Sequence, residues 1–229
     1  MKTNFQSYRR QPSGAFTLIE LLTVIAIIGV LAGMLIVVLG SLQKQKFTSA
    51  AKAELGELET AIDSYHATYG FYPPSNPNNV LTNQLYYELS GTAANNIGGV
   101  PGYTNLDGTS EITTNTIGAA FGTIGFVNCT KASANSEDTV VAKNFLVNLK
   151  SKQIGTISIG GSWISNLVTS VGGPDPDYKP LGVADVNPFR YNSSNPTNNP
   201  GTYDLWVDLS IGHKTNRISN WSRSVTVLP

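Results

Sequence analysis

The sequence predicts an α+β fold: a long N-terminal helix, made of a membrane span followed by an amphipathic stem, packed on a small C-terminal antiparallel β-sheet head. Three observations carry this expectation. Residues 21–42 form a run of 22 without a formal charge. Beyond Gln43, apolar residues recur at helical spacing as far as Tyr69. In TYDLWVDL, close to the C-terminus, they recur at every second position.

The apolar run comes first. At ~1.5 Å rise per residue it makes roughly 33 Å of helix, enough to cross the ~30 Å hydrocarbon core of a bilayer. Lys2, Arg9 and Arg10 precede it, and residues 1–19 hold no acid. Such cations keep an N-terminus in the cytoplasm, so the remainder of the chain is expected outside. Three readings of the run compete. A cleaved secretory signal has an apolar core of about 7–15 residues and then a small-x-small site. This run is longer, and no convincing site follows it before Gln43. An ordinary signal anchor satisfies the hydropathy alone. It leaves Glu20 unexplained, because acids inside spans cost about 2.5–3.5 kcal/mol at mid-membrane and imply a partner. The third reading gives Glu20 that partner.

The stretch GAFTLIELLTVIAIIGVLAGM resembles the N-terminal signature of type IV pilins and of type II secretion pseudopilins. The resemblance implies a leader peptide, residues 1–15, removed by prepilin peptidase on the cytoplasmic side between Ala15 and Phe16. It implies methylation of the new N-terminus at Phe16. Gly14 followed by Ala15 stands where the family usually has Gly before the cut, and a cut after Gly14 would make Glu20 the sixth residue instead of the fifth. Glu20 is then expected to pair with the Phe16 amine of a neighbouring subunit in a filament. A buried charge pair adds little net stability but penalises misalignment, so Glu20 is read as an alignment device.

The stem follows, residues 43–70. Phe47, Ala51, Leu55, Leu58, Ile62, Tyr65 and Tyr69 line one helix face, with Lys52, Glu54, Glu57, Glu59 and Asp63 mostly elsewhere. Gly70 suits the C-cap, and Pro73-Pro74 forbids continuation. No breaker separates span from stem, so one helix of about 80 Å is expected from Phe16 to Tyr69. Gly29 and Gly33 in GVLAG match the small-xxx-small pattern of closely packed helices, or are ordinary glycines of a span.

The head, residues 71–229, is rich in Asn, Thr, Ser and Gly. FYPPSNPNN is a turn cluster. NVLTNQLYYELSG is expected to be a short helix with Leu81, Leu85 and Leu89 on one side and Gly91 at its end. SEDTVVAKNFLVNLK, residues 136–150, is expected to be another, with acids first and Lys150 last. Residues 92–135 are expected to be loop with short strands, and QIGTISIGG a strand. PFRY, TYDLWVDL and SVTVL form the expected sheet. Tyr203, Leu205, Val207 and Leu209 point one way; Asp204, Trp206 and Asp208 point the other.

VNPFRYNSS, GTYDLWVDLSIG and ISNW are similar to the C-terminal part of the major pseudopilin, type II secretion protein G. The matching positions are Asn187, Pro188, Tyr203, Asp204, Leu205, Ser210, Gly212, Asn220 and Trp221. The resemblance implies a structural subunit in the bacterial inner membrane, N-terminus inside, polymerised with like subunits on an inner-membrane assembly platform for protein secretion. A type IV pilin for adhesion, motility or DNA uptake is the alternative. An unprocessed membrane-anchored binding protein is the rival of another class. In that family an acidic loop after Ser-x-Gly binds calcium. Here IGHKTNRISNW holds His213, Lys214 and Arg217 and no carboxylate, a poor site for an ion that wants several oxygens. Asp175, Asp177 and Asp185 are the alternative ligands, but their Pro and Gly neighbours suit turns. No cofactor is therefore expected.

Other functions find little support. Charged residues are 13% and net charge is +0, which argues against a nucleic-acid partner. His66 and His213 sit in unrelated contexts, and the single Cys129 has no identifiable catalytic partner. GTIGFVN and SIGGSW lack the Lys of a phosphate loop. The triplets at Asn128, Asn192 and Asn220 are expected by chance in such a composition. No enzyme is expected.

Overall fold

The computed structural model describes residues 17–131 and 141–229. The chain divides into two compact units, Met1–Gln43 and Lys44–Pro229. Helix α1 covers Leu18–Tyr69 and contributes to both. In the first unit its described side chains are exposed throughout, among them Leu18 (80%), Ile25 (58%) and Met34 (64%). Among the described residues, no helix is long and apolar enough to cross a membrane.

In the second unit the expected stripe is the buried one. Ala51, Leu55, Leu58, Ile62 and Tyr65 are all buried, with Phe47 and Tyr69 packed against them at either end. Glu54 departs from the expected polar face. It is buried, because its carboxylate accepts from Thr169 Oγ1 (2.7 Å) and Ser170 N (3.1 Å), and from Ser170 Oγ. The helix ends where Gly70, at φ +80°, donates its N–H to His66 O.

The head adds α2 (Leu85–Ser90), β1 (Thr92–Ile97), β2 (Val100–Asn105), β3 (Glu111–Thr113), α3 (Thr114–Phe121) and β4 (Cys129–Thr130). It continues with β5 (Ile154–Ile159), β6 (Ser162–Leu167), β7 (Arg190–Asn192), β8 (Asp204–Ile211), β9 (Lys214–Ser219) and β10 (Ser222–Leu228). These form sheets in the orders β3-β2-β1-β4, β5-β6 and β10-β9-β8-β7. Among the described residues, β1 with β4 is the one parallel pair of strands and the other pairs are antiparallel. The architecture is thus α+β, with Leu205, Val207 and Leu209 of β8 in one core with Leu55, Leu58 and Ile62 of α1.

Four expectations are corrected. The first head helix is shorter than expected: α2 begins at Leu85, and Leu81 lies outside it. Of residues 136–150, expected to be helical, 136–140 lie outside the described residues and 141–150 are not helical. Their backbone is claimed elsewhere: Lys143 N donates to Asn128 Oδ1 (2.9 Å), Lys143 O accepts from Asn128 Nδ2 (2.6 Å), and Phe145 N donates to Leu89 O (2.8 Å). Such side-chain and cross-chain bonds outcompete a short helix. Of residues 92–135, expected to be loop with short strands, 132–135 lie outside the described residues. The short strands are present, with Gly98-Gly99, at φ +58° and +85°, closing β1 and β2 into a two-residue hairpin. The departure is helix α3, capped by Thr113 Oγ1, which accepts from Thr116 N. Finally, IGHKTNRISNW is no loop. Gly212-His213 make a two-residue turn, and the polar stretch after it is β9.

Two of the three outward residues of β8 are also buried, and Trp206 is partly exposed. Asp204 is 2% and Asp208 6% exposed. Asp204 is enclosed by the 197–199 segment and Asp208 by two arginines, as described below.

Candidate functional site

The site singled out by the sequence is the start of α1. Thr17 and Glu20 form a reciprocal cap there. Thr17 N donates to Glu20 Oε2 (2.9 Å), Thr17 Oγ1 donates to the same oxygen (2.6 Å), and Glu20 N donates back to Thr17 Oγ1 (3.4 Å). This is the capping box of S/T-x-x-E. It was readable in FTLIE as spacing alone, and sequence reasoning missed it. Glu20 therefore has a local structural role: a carboxylate in the first turn satisfies an orphan N–H and complements the helix dipole. The box occupies Oε2, while Oε1 has no hydrogen bond among the described residues.

Around Glu20 the helix offers an apolar surface. Ile19, Leu21, Leu22, Val24, Ile27, Ile28, Val30 and Leu31 are each about half exposed or more. At Gly29 and Gly33 an added Cβ would meet nothing within 4 Å. Both glycines are thus open to approach by another helix. Gly14, Ala15 and Phe16 lie outside the described residues.

The second unit holds other chemically notable groups, and the buried carboxylates of Glu88 and Asp204 are each engaged by neighbouring donors. Glu88 on α2 is 0% exposed. Its carboxylate accepts from Tyr65 Oη (3.0 Å), Val127 N (2.9 Å) and Asn128 N (3.0 Å). Burial pushes its pKa up, against those three donors. Asp204 accepts from Thr197 N, Asn198 N and Asn199 N, and from Asn198 Nδ2, at 2.9–3.0 Å. Burial acts to raise its pKa, but those donors from Asn198, Asn199 and Thr197 win and hold it below the ordinary value. His66 stacks on Tyr72 with ring centroids 4.2 Å apart. Cys129 is buried.

The calcium question can be tested at the β8–β9 turn. Asp175 accepts from Ser210 Oγ (2.7 Å), Gly212 N (3.0 Å) and His213 N (2.7 Å). Its carboxylate braces this turn directly, and the hydrogen bonds from Ser210, His213 and Gly212 keep its pKa low. Asp177 and Asp185 are exposed, and no group of three His, Cys, Asp or Glu among the described residues is placed to hold a metal. Among the described residues these carboxylates do not come together as the several oxygen ligands that calcium takes.

Asn128 is buried and bonded to Glu88 and Lys143, and Asn220 is bonded to Leu205 N and Tyr203 O. A groove of about 290 Å³ lies between α1 and residues 145–149, and Glu57 is its one titratable lining residue. Its Thr60 and Ser64 hydroxyls donate to the helix carbonyls of Gly56 and Thr60.

Comparison with curated proteins and with solved structures gives no match. Residues 10–36 match the family model of the prokaryotic N-terminal methylation motif. That range includes Glu20, the capping box and both glycines of the exposed helix. The chain thus carries a prepilin-type N-terminal methylation motif, which supports a type IV pilin-like subunit processed by prepilin peptidase.

Proposed function

We propose that the chain is a structural subunit of a pilus-like filament and, within that class, a type II secretion pseudopilin of the G type. One observation carries the filament reading: the methylation motif at residues 10–36 coincides with a capped helix whose apolar side chains are exposed. A surface of that kind needs lipid before assembly and like helices after it. The uncharged run of residues 21–42 supports a single span in the bacterial inner membrane, with the N-terminus inside and the head outside. Cleavage between Ala15 and Phe16, methylation of Phe16, pairing of Glu20 with a neighbour's amine and helix packing at Gly29 and Gly33 belong to this proposal. So do its partners: prepilin peptidase, like subunits and a membrane assembly platform.

The similarity of residues 187–221 to the major pseudopilin favours secretion. A type IV pilin is the second reading, favoured by the elaborated head between α2 and β7 and by IGHKTNRISNW, which holds no carboxylate where the pseudopilin family has an acidic stretch. The test is intact mass and N-terminal sequence of the full chain coexpressed with prepilin peptidase. A product that begins at methylated Phe16 supports the proposal. A chain that keeps Met1, or one cut beyond residue 42, refutes it. Deletion then separates the two filament readings: loss of protein export supports the pseudopilin, whereas loss of surface filaments with export intact supports the pilin.

A further inference from the structure

On the outer face of the C-terminal sheet, Asp204 is taken up by the backbone of residues 197–199, and two arginines face the one remaining carboxylate, Asp208. Arg190 on β7 is 7% exposed. Its Nη2 donates to Tyr178 Oη (2.8 Å), and its Nε lies 3.7 Å from Asp208 Oδ2. Arg217 holds Asp208 more closely, donating from Nε to Oδ1 (2.7 Å) and from Nη2 to Oδ2 (2.9 Å). Two guanidiniums therefore share one carboxylate, and among the described residues neither forms an ion pair with another acid.

Orphaned donors accompany the charge. Among the described residues, Arg190 Nη1, Trp206 Nε1 and Ser219 Oγ are buried without a hydrogen-bond partner. The strand register puts these residues in one row: Arg190 is opposite Trp206, and Trp206 opposite Ser219. Residues so paired share a face, with Cβ atoms about 4.5–5.5 Å apart. Asp208 and Arg217 make the next row on that face. Neutral orphans such as those of Asn166 are found elsewhere, but Arg190 is the charged one among the described residues. A buried charge without full compensation is heavily penalised, and guanidinium and indole N–H groups only donate.

We propose that this row binds a small oxyanion, a carboxylate or a phosphate, held by Arg190 Nη1, Trp206 Nε1 and the Ser219 hydroxyl. One negative charge balances the second guanidinium, and the ion's oxygens receive charge-assisted hydrogen bonds from donors that otherwise have none. A metal cation is excluded by the charge and by the donors. Tyr178 caps Arg190 from the 172–186 segment, so entry requires a local opening there. The inference is independent of filament assembly.

The test uses the full chain in detergent at constant ionic strength, with chloride exchanged for inorganic phosphate or for N-acetylglutamate amide. Thermal midpoint and tryptophan emission are read. At least one probe is expected to raise the midpoint by several degrees and to change emission saturably. Arg190→Gln abolishes the response, and Arg223→Gln, at an exposed cation, retains it. A response to phosphate, alone or with the amide, assigns a dissolved oxyanion. A response to the amide alone assigns a side-chain carboxylate of a protein partner. Should Arg190→Gln fail to fold, Trp206→Phe keeps both guanidiniums and Asp208, and weakens binding roughly tenfold through one lost hydrogen bond. Equal midpoints and emission in all three media overturn the proposal. So does a response that survives in Arg190→Gln or is unweakened in Trp206→Phe, since these donors then hold water.

Discussion

Replacing Tyr65 by Phe removes one hydroxyl and leaves the ring in place. That hydroxyl donates to Glu88 Oε2 at 3.0 Å, where both residues are 0% exposed. Glu88 keeps the N–H groups of Val127 and Asn128. While Glu88 is ionised, the lost bond is one to a charged acceptor, worth about 1.5–3 kcal/mol, against about 0.5–1.5 kcal/mol once it is neutral. Burial raises the folded pKa of Glu88, so the folded chain binds more protons than the unfolded one above about pH 4.3. Stability from its protonated form is complete below that pH and is lost as pH rises through the folded value. Tyr65→Phe withdraws support from the ionised form and makes the fall steeper. The deficit should therefore be larger near pH ~8 than near pH ~4. At the higher pH, about 1.5–3 kcal/mol lowers the thermal midpoint of a unit this size by roughly 3–12 °C. Urea denaturation of the full chain in detergent, followed by tryptophan emission at both pH values, measures it. A deficit equal at both, or smaller at the higher pH, would refute the reasoning.

Gly91→Ala should cost about 1–3 kcal/mol in the same assay, because φ there is +71° and the new Cβ would lie 2.8 Å from Lys143 O. A neutral substitution would show that the 141–150 segment yields freely. Asp204→Asn keeps the shape but weakens the acceptor for the 197–199 backbone, at a cost of about 1.5–3 kcal/mol at neutral pH. Because the folded pKa of Asp204 is depressed, its stabilisation is present above about pH 3.9 and is lost as pH falls through the folded value, so the deficit should vanish in acid. Glu20→Gln preserves a capping box, whose third position accepts Gln, yet removes the charge. If Glu20 aligns subunits by charge, this variant is processed but fails to form filaments, whereas normal filaments would leave the cap as its role. Calcium or a chelator should leave the thermal midpoint unchanged, since Asp175 already braces the β8–β9 turn; a rise with calcium would contradict that assignment.

The sequence made legible whatever one periodicity controls. The stem stripe and the inward face of β8 are single-face patterns, and both are buried as their spacing implies. Where two faces are covered, or where polar side chains do the fastening, pattern fails. Asp204 and Asp208 look like solvent-facing residues, yet the 197–199 backbone encloses one and two arginines the other. The polar strand β9 has no apolar alternation strong enough to betray it, and its pairing with β8 is fixed by a turn whose second residue, His213, has φ +58°. Residues 141–150 have helical composition, but Asn128 and Leu89 capture their backbone from outside. Glu88 was invisible as an anchor because its donors are the backbone of residues 127 and 128 and a stem tyrosine. At the N-terminus, the motif marked Glu20 as important, whereas its bond to Thr17 follows from simple i, i+3 spacing.

The bonds that fasten the stem also set a timetable for the chain. Glu54 reaches forward to Thr169, Lys52 to Arg223, and Pro73 receives Tyr191. Each closure spans more than a hundred residues, and β8, which completes the covering layer, starts only at Asp204. Closing such loops early is entropically costly, while hairpins such as β8–β9 form locally. During vectorial export or synthesis, the apolar stripe of the stem therefore waits uncovered until the last fifth of the chain has arrived. The final strands act as the latch of the head. A truncation that removes them leaves an exposed aromatic and aliphatic ridge, the kind of surface that aggregates or recruits a chaperone.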